Sequence, residues 1–248
     1  MKEVLVVPCF EEELRLDIRS LDELLERSTL SLVLVDDGSR DGTLRVLETY
    51  RERHPDRVHV LALPVNRGKA EAVRQGLELS LGAIGADVVG YADADFATPT
   101  GELFRLLDRL QAGDLDLVFG ARVRVYGSEI RRVGNRHVLG RVFASVASLA
   151  LGEAVYDTQC GAKWFRRTEP LLLAVARPFE ADWAFDVELF ARLFGKFGGP
   201  KLSRDKCREI PLEVWTDVPE SKVKLSGMAK SLVDLAGVYR RRRAANVR

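Results

Sequence analysis

Short apolar runs rich in β-branched residues alternate with amphipathic stretches through the first half of the chain. This rhythm limits the fold more than any other feature of the sequence. Residues 3–7 (EVLVV, bounded by Pro8), 32–36 (LVLVD), 58–63 (VHVLAL) and 87–92 (DVVGYA) have the form of strands, with 116–119 (DLVF) a shorter fifth. Their apolar residues continue without polar alternation, as in strands of a parallel sheet covered on both faces. Between them Val73, Leu77 and Leu81 fall at i, i+4 and i+8, one stripe of a helix. Thr98 followed by Pro99 is a cap and first-turn pair for a helix carrying Leu103, Leu106, Leu107 and Leu110. Strand followed by helix, repeated, predicts an α/β sheet with right-handed crossovers.

Beyond residue 120 the pattern changes. An arginine-rich segment leads into a helix of small residues around 142–151, then a loop containing DTQCGAKWF and a helix over about 185–194. A late strand over 209–215 precedes a C-terminal helix with Met228, Leu232, Leu235 and Tyr239 along one side, followed by Arg240, Arg241, Arg242 and Arg243. No linker divides the chain, so one α/β domain is expected over residues 1–220, with an amphipathic helix and basic tail over 221–248. The helix either packs on the core or docks on lipid.

Composition narrows the class. Of 248 residues, 46% are hydrophobic, enough for a full core and too many for a disordered chain. Lys plus Arg number 38 against 37 Asp plus Glu, a net charge of +1 that argues against a non-specific nucleic-acid coat. Cys9, Cys160 and Cys207 form no CxxC pair, which suits a reducing compartment and offers no zinc site. The N-terminus runs directly into a strand without a signal-peptide core, and residues 142–152 are too short and too rich in Ala and Ser to span a bilayer. A soluble intracellular domain is expected.

Ligands of open α/β sheets bind outside the carboxyl ends of the strands. There the sequence sets PCFEEE after the first strand, VDDGSRDGT at the end of the second and DAD (Asp93, Ala94, Asp95) after the fourth. Two aspartates one residue apart on extended backbone face the same side and repel. A divalent cation relieves that repulsion, and Mg²⁺ commonly takes one or two carboxylates plus substrate phosphates. An ordinary turn and cap explains the same residues equally well. No GxGxxG follows the first strand and no P-loop is present, so neither a dinucleotide fingerprint nor a Walker motif is available.

Taken in order, PCFEEE, VDDGSRDGT, NRGKAEAVRQG and DADFATP resemble the family 2 glycosyltransferases of GT-A fold, a Rossmann-like, mostly parallel sheet with helices on both faces. DTQCGAKWF, WAFDVEL and ESKV sharpen this toward the dolichyl-phosphate β-glucosyltransferase branch, and the dolichyl-phosphate mannose synthases match more weakly. The resemblance covers residues 3–230. It implies a nucleotide-sugar site lined by Pro8, Phe10, Glu12, Val35 and Asp37, with Lys69 beside the phosphates and Ala94 between the two aspartates. Asp93 and Asp95 would hold Mg²⁺ or Mn²⁺, Asp95 most directly, and Lys222 would close over the diphosphate. Glu11 stands where Asn is common and Ala97 where Gln is, so no role passes to either.

Between residues 121 and 141, Arg122, Arg124, Arg131, Arg132, Arg136 and Arg141 face one acid, Glu129. A solvated helix face is the usual fate of such a run. By the resemblance, Arg122, Arg132 and Arg136, with Asn135, form a clamp for an acceptor phosphate, since guanidinium forks match phosphate oxygens. The expected activity is inverting transfer of glucose from UDP-glucose to a polyprenyl (dolichyl-type) phosphate, with Asp95, Asp186 and Arg122 at the centre of catalysis. GDP-mannose as donor is the closest rival. Transfer to a glycan hydroxyl is another, with Asp186 as base, since a hydroxyl must lose a proton where a phosphate need not. With a lipid phosphate, Asp186 instead binds donor hydroxyls, orients Arg192 or simply caps its helix. A silent nucleotide-sugar binder is disfavoured by the intact carboxylates. Because the chain begins at its first strand, a lipid acceptor is expected to be met by peripheral docking on the cytoplasmic membrane face, with the four arginines on anionic lipid. Nucleic acid is not an expected partner, as the arginine segment lacks interleaved aromatics apart from Tyr126.

Overall fold

The computed structural model describes residues 1–131, 136–217 and 225–245. In chain order the elements are β1 (Glu3–Cys9), α1 (Ile18–Arg27), β2 (Ser31–Asp36), α2 (Thr43–Arg53), β3 (Val58–Ala62), α3 (Lys69–Leu81), β4 (Val88–Ala92), α4 (Thr100–Ala112) and β5 (Leu117–Ala121). There follow β6 (Glu129–Arg131), α5 (Arg136–Leu151), β7 (Ala162–Arg166), α6 (Glu169–Val175), α7 (Phe185–Leu193), β8 (Cys207–Pro211), β9 (Val214–Thr216) and α8 (Leu225–Ala245).

Seven strands form one sheet in the order β3-β2-β1-β4-β7-β5-β8. All its pairings are parallel except those of β7, which is antiparallel to both β4 and β5. The inner strands β2, β4 and β5 are buried at every position, as their unbroken apolar runs require. Two apolar layers cover the faces. One joins Val6, Val35 and Val73 to Phe190, Leu235 and Val238, and the other joins Leu5, Leu34 and Leu103 to Trp164. Gly76 lets α3 approach the sheet, because a Cβ there would stand 2.4 Å from Val6 Cγ1.

Three local expectations need correction. Pro99, not Thr98, holds the N-cap position of α4, and no side chain caps that helix. The helix starts at Thr100, whose hydroxyl donates to Glu23 at 2.5 Å. The late strand is two strands: Pro211 ends β8 on the main sheet, and Val214–Thr216 pairs with β6 in a separate ribbon. Leu212 N–H still donates to Ala121 O at 2.9 Å, and the chain leaves the sheet after it. Finally, the apolar stripe expected along the C-terminal helix is shifted, while the expected boundary at residue 220 lies outside the described residues. On α8, Leu235 and Val238 are fully buried against the core, whereas Leu232 faces solvent. The apolar side of the helix is thus rotated from the expected stripe, and the side facing α5 and α7 is its packed side.

Candidate active site

The parallel strands bring their carboxyl ends to one edge, and β7, running the other way, brings its entry loop to the same edge. Ala92 of β4 faces Ala162 of β7, and Phe119 of β5 faces Lys163. Residues 10–13, 36–43, 93–97, 122 and 157–161 therefore meet. The first two loops interlock. The N–H groups of Glu11, Glu12 and Glu13 donate to Ser39 Oγ, Thr43 Oγ1 and Asp41 Oδ2, and Gly42 N–H returns to Glu13 Oε2 at 2.9 Å.

The residues expected to hold the nucleotide are gathered here, but several are already engaged. Asp37 is buried and accepts the N–H groups of Arg67 at 2.7 Å and Gly68 at 2.8 Å, so it fixes the entry to α3. Burial raises its carboxyl, against the pull of those two N–H donors. Val35 points into the core and leaves only its backbone for a ligand. Glu12 receives a bidentate pair from Arg15. Pro8 and Phe10 stay half-buried at the edge.

Asp93, Ala94 and Asp95 form a tight turn in which Phe96 N–H donates to Asp93 O at 3.1 Å. Phe96 takes a φ of 43°, a left-handed conformation that a bulky residue holds only when its surroundings enforce it. Asp93 Oδ1 meets Lys69 Nζ at 2.5 Å. Burial would raise the Asp93 carboxyl, but Lys69, Lys163 and Arg122 outweigh it and hold it below the usual value. Lys69 is raised, because Asp93, Asp186 and Asp95 overcome the desolvation that opposes its charge. Asp95, which reaches solvent, is shifted upward by desolvation and by Asp93 and Glu12. It is thus the carboxylate short of positive charge. Among the described residues no three His, Cys, Asp or Glu converge as a complete metal cage. Two aspartates on one turn still suit an ion that takes its remaining ligands from phosphate and water.

Arg122 does not reach outward as a phosphate fork. Its Nε and Nη2 clasp Asp157 at 2.7 and 2.9 Å, its own N–H bonds the same carboxylate at 3.0 Å, and its guanidinium lies 5.4 Å from the Trp215 ring centre. The Asp157 carboxyl is pulled down to about 2 because Arg122 overcomes the opposing effect of burial. Arg132, Asn135 and Lys222 lie outside the described residues, and Arg136 opens α5.

Asp186, on the first turn of α7, is 4% exposed. It neither caps its helix nor orients Arg192, which Glu188 and three backbone carbonyls hold instead. The Oδ1 atom of Asp186 accepts the Tyr91 hydroxyl and pairs with Lys163 Nζ at 2.9 Å.

Residues 4–169 match the family model described as Glycosyl transferase family 2. The chain belongs to glycosyl transferase family 2. It is 31% identical over 248 residues to a dolichyl-phosphate beta-glucosyltransferase of Trichomonas vaginalis, an alignment spanning 94% of this chain and 69% of that protein. The dolichyl-phosphate beta-glucosyltransferase of Homo sapiens is 33% identical over 240 residues, covering 88% and 68%. The crystal structure of S. aureus TarS 1-349 in complex with UDP superposes with a TM-score of 0.54 over 96% of this chain and 65% of that one. At 17% identity that likeness is one of fold.

In this family 2 chain the sequence reading missed Lys163, Tyr91 and Asp157. Lys163 had a visible signal, a lone lysine inside the apolar run of β7. Tyr91 and Asp157 gave none, since a tyrosine in a strand and an aspartate in a loop are ordinary.

Proposed function

We propose that this family 2 glycosyltransferase moves glucose from UDP-glucose to a polyprenyl or dolichyl phosphate and inverts the anomeric centre to give a β-linked product. The observation that carries the proposal is the state of Asp186, enclosed and bound by Lys163 and Tyr91 through one oxygen. A hydroxyl acceptor needs a base free to take its proton. A phosphate monoester, with a second pKa of about 6, is largely dianionic at neutral pH and needs none. The names of the relatives in Trichomonas vaginalis and Homo sapiens support the acceptor and the sugar, and the UDP in the TarS crystal supports a uridine donor.

In this reading a phosphate oxygen of the acceptor attacks the glucose C1 from the face opposite the nucleotide. The bond from C1 to the diphosphate breaks, and its electron pair leaves on UDP. Asp93, Asp95, Asp157 and Asp186 outnumber Lys69, Lys163 and Arg122 here, so a diphosphate requires added positive charge. Asp93 and Asp95 would hold Mg²⁺ or Mn²⁺, which supplies Lewis-acid stabilisation of the departing diphosphate. Lys69 sets the Asp93 carboxylate in place and offers its ammonium to the same phosphates.

The proposal puts the enzyme peripherally on the cytoplasmic membrane face. No helix among the described residues is long and apolar enough to cross a bilayer. Val142 and Leu149 of α5 and Leu232 and Val233 of α8 are exposed apolar residues. The four arginines do not act as one basic tail. Arg241 pairs with Glu188 and Glu180, Arg242 donates to the carbonyls of Leu149 and Ala150, and Arg240 and Arg243 are left exposed.

The test is transfer of labelled sugar to short-chain polyprenyl phosphate from UDP-glucose and from GDP-mannose, each with and without Mg²⁺ or Mn²⁺. Metal-dependent label in the lipid from UDP-glucose is the expected result. Label from GDP-mannose alone overturns the donor, and donor hydrolysis without any lipid product overturns the acceptor.

A further inference from the structure

The segment leading into α7 is held from an unexpected direction. Ala184 occupies the N-cap position and has no side chain to offer. Five consecutive backbone N–H groups, those of residues 180–184, instead donate to two carboxylates. Glu180 and Ala181 donate to Glu188 Oε2 at 3.0 and 2.8 Å. Asp182, Trp183 and Ala184 donate to Asp234 Oδ2 at 3.2, 2.9 and 3.1 Å.

Asp234 belongs to α8, 50 residues beyond Ala184. The same helix sends Arg241 to Glu188, with contacts of 3.1 and 3.0 Å. Both carboxylates that order the segment are thus supplied or secured by α8. The other side of the segment faces the site. Trp183 O accepts Gln159 Nε2 at 2.9 Å, and Gln159 lies in the loop ending at Gly161, which packs on Asp93. Asp182 Oδ1 sits 3.0 Å from where a Cβ of Gly68 would be, next to Lys69. Asp186 follows two residues after Ala184.

We propose that Asp234 is a positioning residue: by holding the entry to α7 from a distant helix it fixes Trp183, the Gln159 loop and Asp186 along the donor side of the site. For its kinetic part this rests on the glycosyl-transfer reading above. A single carboxylate taking the N–H groups of the two residues before the N-cap and of the N-cap itself satisfies backbone donors that would otherwise lack a partner in the protein. Without it the N–H groups of residues 182–184 lose this shared acceptor, and the Gln159 loop loses a fixed partner.

The experiment uses the full chain as wild type, Asp234→Ala and Asp234→Asn. Amide hydrogen exchange is read first, without substrate. Asp234→Ala is expected to speed exchange at residues 182–184 by about tenfold, with a smaller rise across 157–161 and none in β1 or β2. Asp234→Asn keeps an acceptor oxygen in place and restores most of the protection, which loss of helix packing alone would not predict. Unchanged exchange at 182–184, or a rise that stops short of 157–161, overturns the proposal. Donor kinetics follow. Asp234→Ala is expected to raise KM for the nucleotide sugar about tenfold with kcat within about threefold, and Asp234→Asn to recover it. An unchanged KM alongside lost protection also overturns the proposal. If the wild type transfers no sugar, the proposed function fails, and the exchange measurements alone decide the positioning role.

Discussion

Lys163 places its Nζ 2.9 Å from Asp186 Oδ1, and its side chain has no exposed surface. The ammonium also donates to Cys160 O at 2.6 Å and lies 5.0 and 5.7 Å from the ring centres of Tyr91 and Phe190. Burying two charges is tolerable only when each is paired and hydrogen-bonded, and removing one partner strands the other. Lys163→Met should therefore cost about 3–5 kcal/mol, and adding Asp186→Asn should restore much of it. Urea unfolding of the single and double variants measures the coupling, and additive losses would refute it.

The Arg122–Asp157 pair sets a pH dependence. Asp157 titrates at about 2 in the folded chain, below the ordinary carboxylate value. Its contribution to stability is full above about pH 4, the unfolded range, and is lost as pH falls through the folded value. Asp157→Asn removes that contribution, on the order of 2 kcal/mol, so its unfolding free energy should fall less steeply than that of the wild type between pH 4 and pH 2. Parallel acid titrations would argue against the pairing.

Gly161 is a steric test of the acidic turn. A Cβ there would stand 2.2 Å from Asp93 Oδ2, so the carboxylate of Asp93 must rotate away from Lys69. Gly161→Ala should lower kcat/KM by about 100-fold, the scale of a misplaced reacting group, for a stability cost of about 1 kcal/mol. Normal turnover would mean that Asp93 does not need its present position.

Much of this layout was legible in the sequence because parallel strands covered on both faces must be continuously apolar. The inner strands β2, β4 and β5 are therefore plain to read, and the carboxylates at their ends follow from topology. What escaped is what depends on direction and distance. The reversed strand β7 carries no signature of its orientation, yet it sets Lys163 beneath Asp186 and Gly161 against Asp93. Arg122 shows as a cation in the chain, and only folding shows that its fork is closed on Asp157. The stripe along α8 was misjudged because Asp234 and Arg241, polar in sequence, face inward to the α7 entry.

Of the two aspartates on the acidic turn, Asp95 is the one held above its usual value, by desolvation and by its neighbours Asp93 and Glu12. A bound cation would relieve that crowding. Asp95→Asn should raise the Mg²⁺ or Mn²⁺ concentration for half-maximal transfer by more than about tenfold, at an effective dielectric near that of protein surfaces. In the wild type, metal-dependent activity should decline with falling pH before the ordinary carboxylate range is reached. Equal metal titrations for both proteins would remove Asp95 from the cation site.

Asp186 separates a lipid-phosphate acceptor from a hydroxyl acceptor. If it were the general base, replacing it would remove about 10²–10⁴-fold of rate. Its Oδ1 is instead already engaged by Tyr91 and Lys163. Asp186→Asn in the Lys163→Met background carries no stranded buried charge and is the variant to assay. Transfer to polyprenyl phosphate should stay within about 100-fold of wild type, and the loss should fall mainly on donor KM. Abolished turnover with intact donor binding would instead make Asp186 the base and the acceptor a hydroxyl.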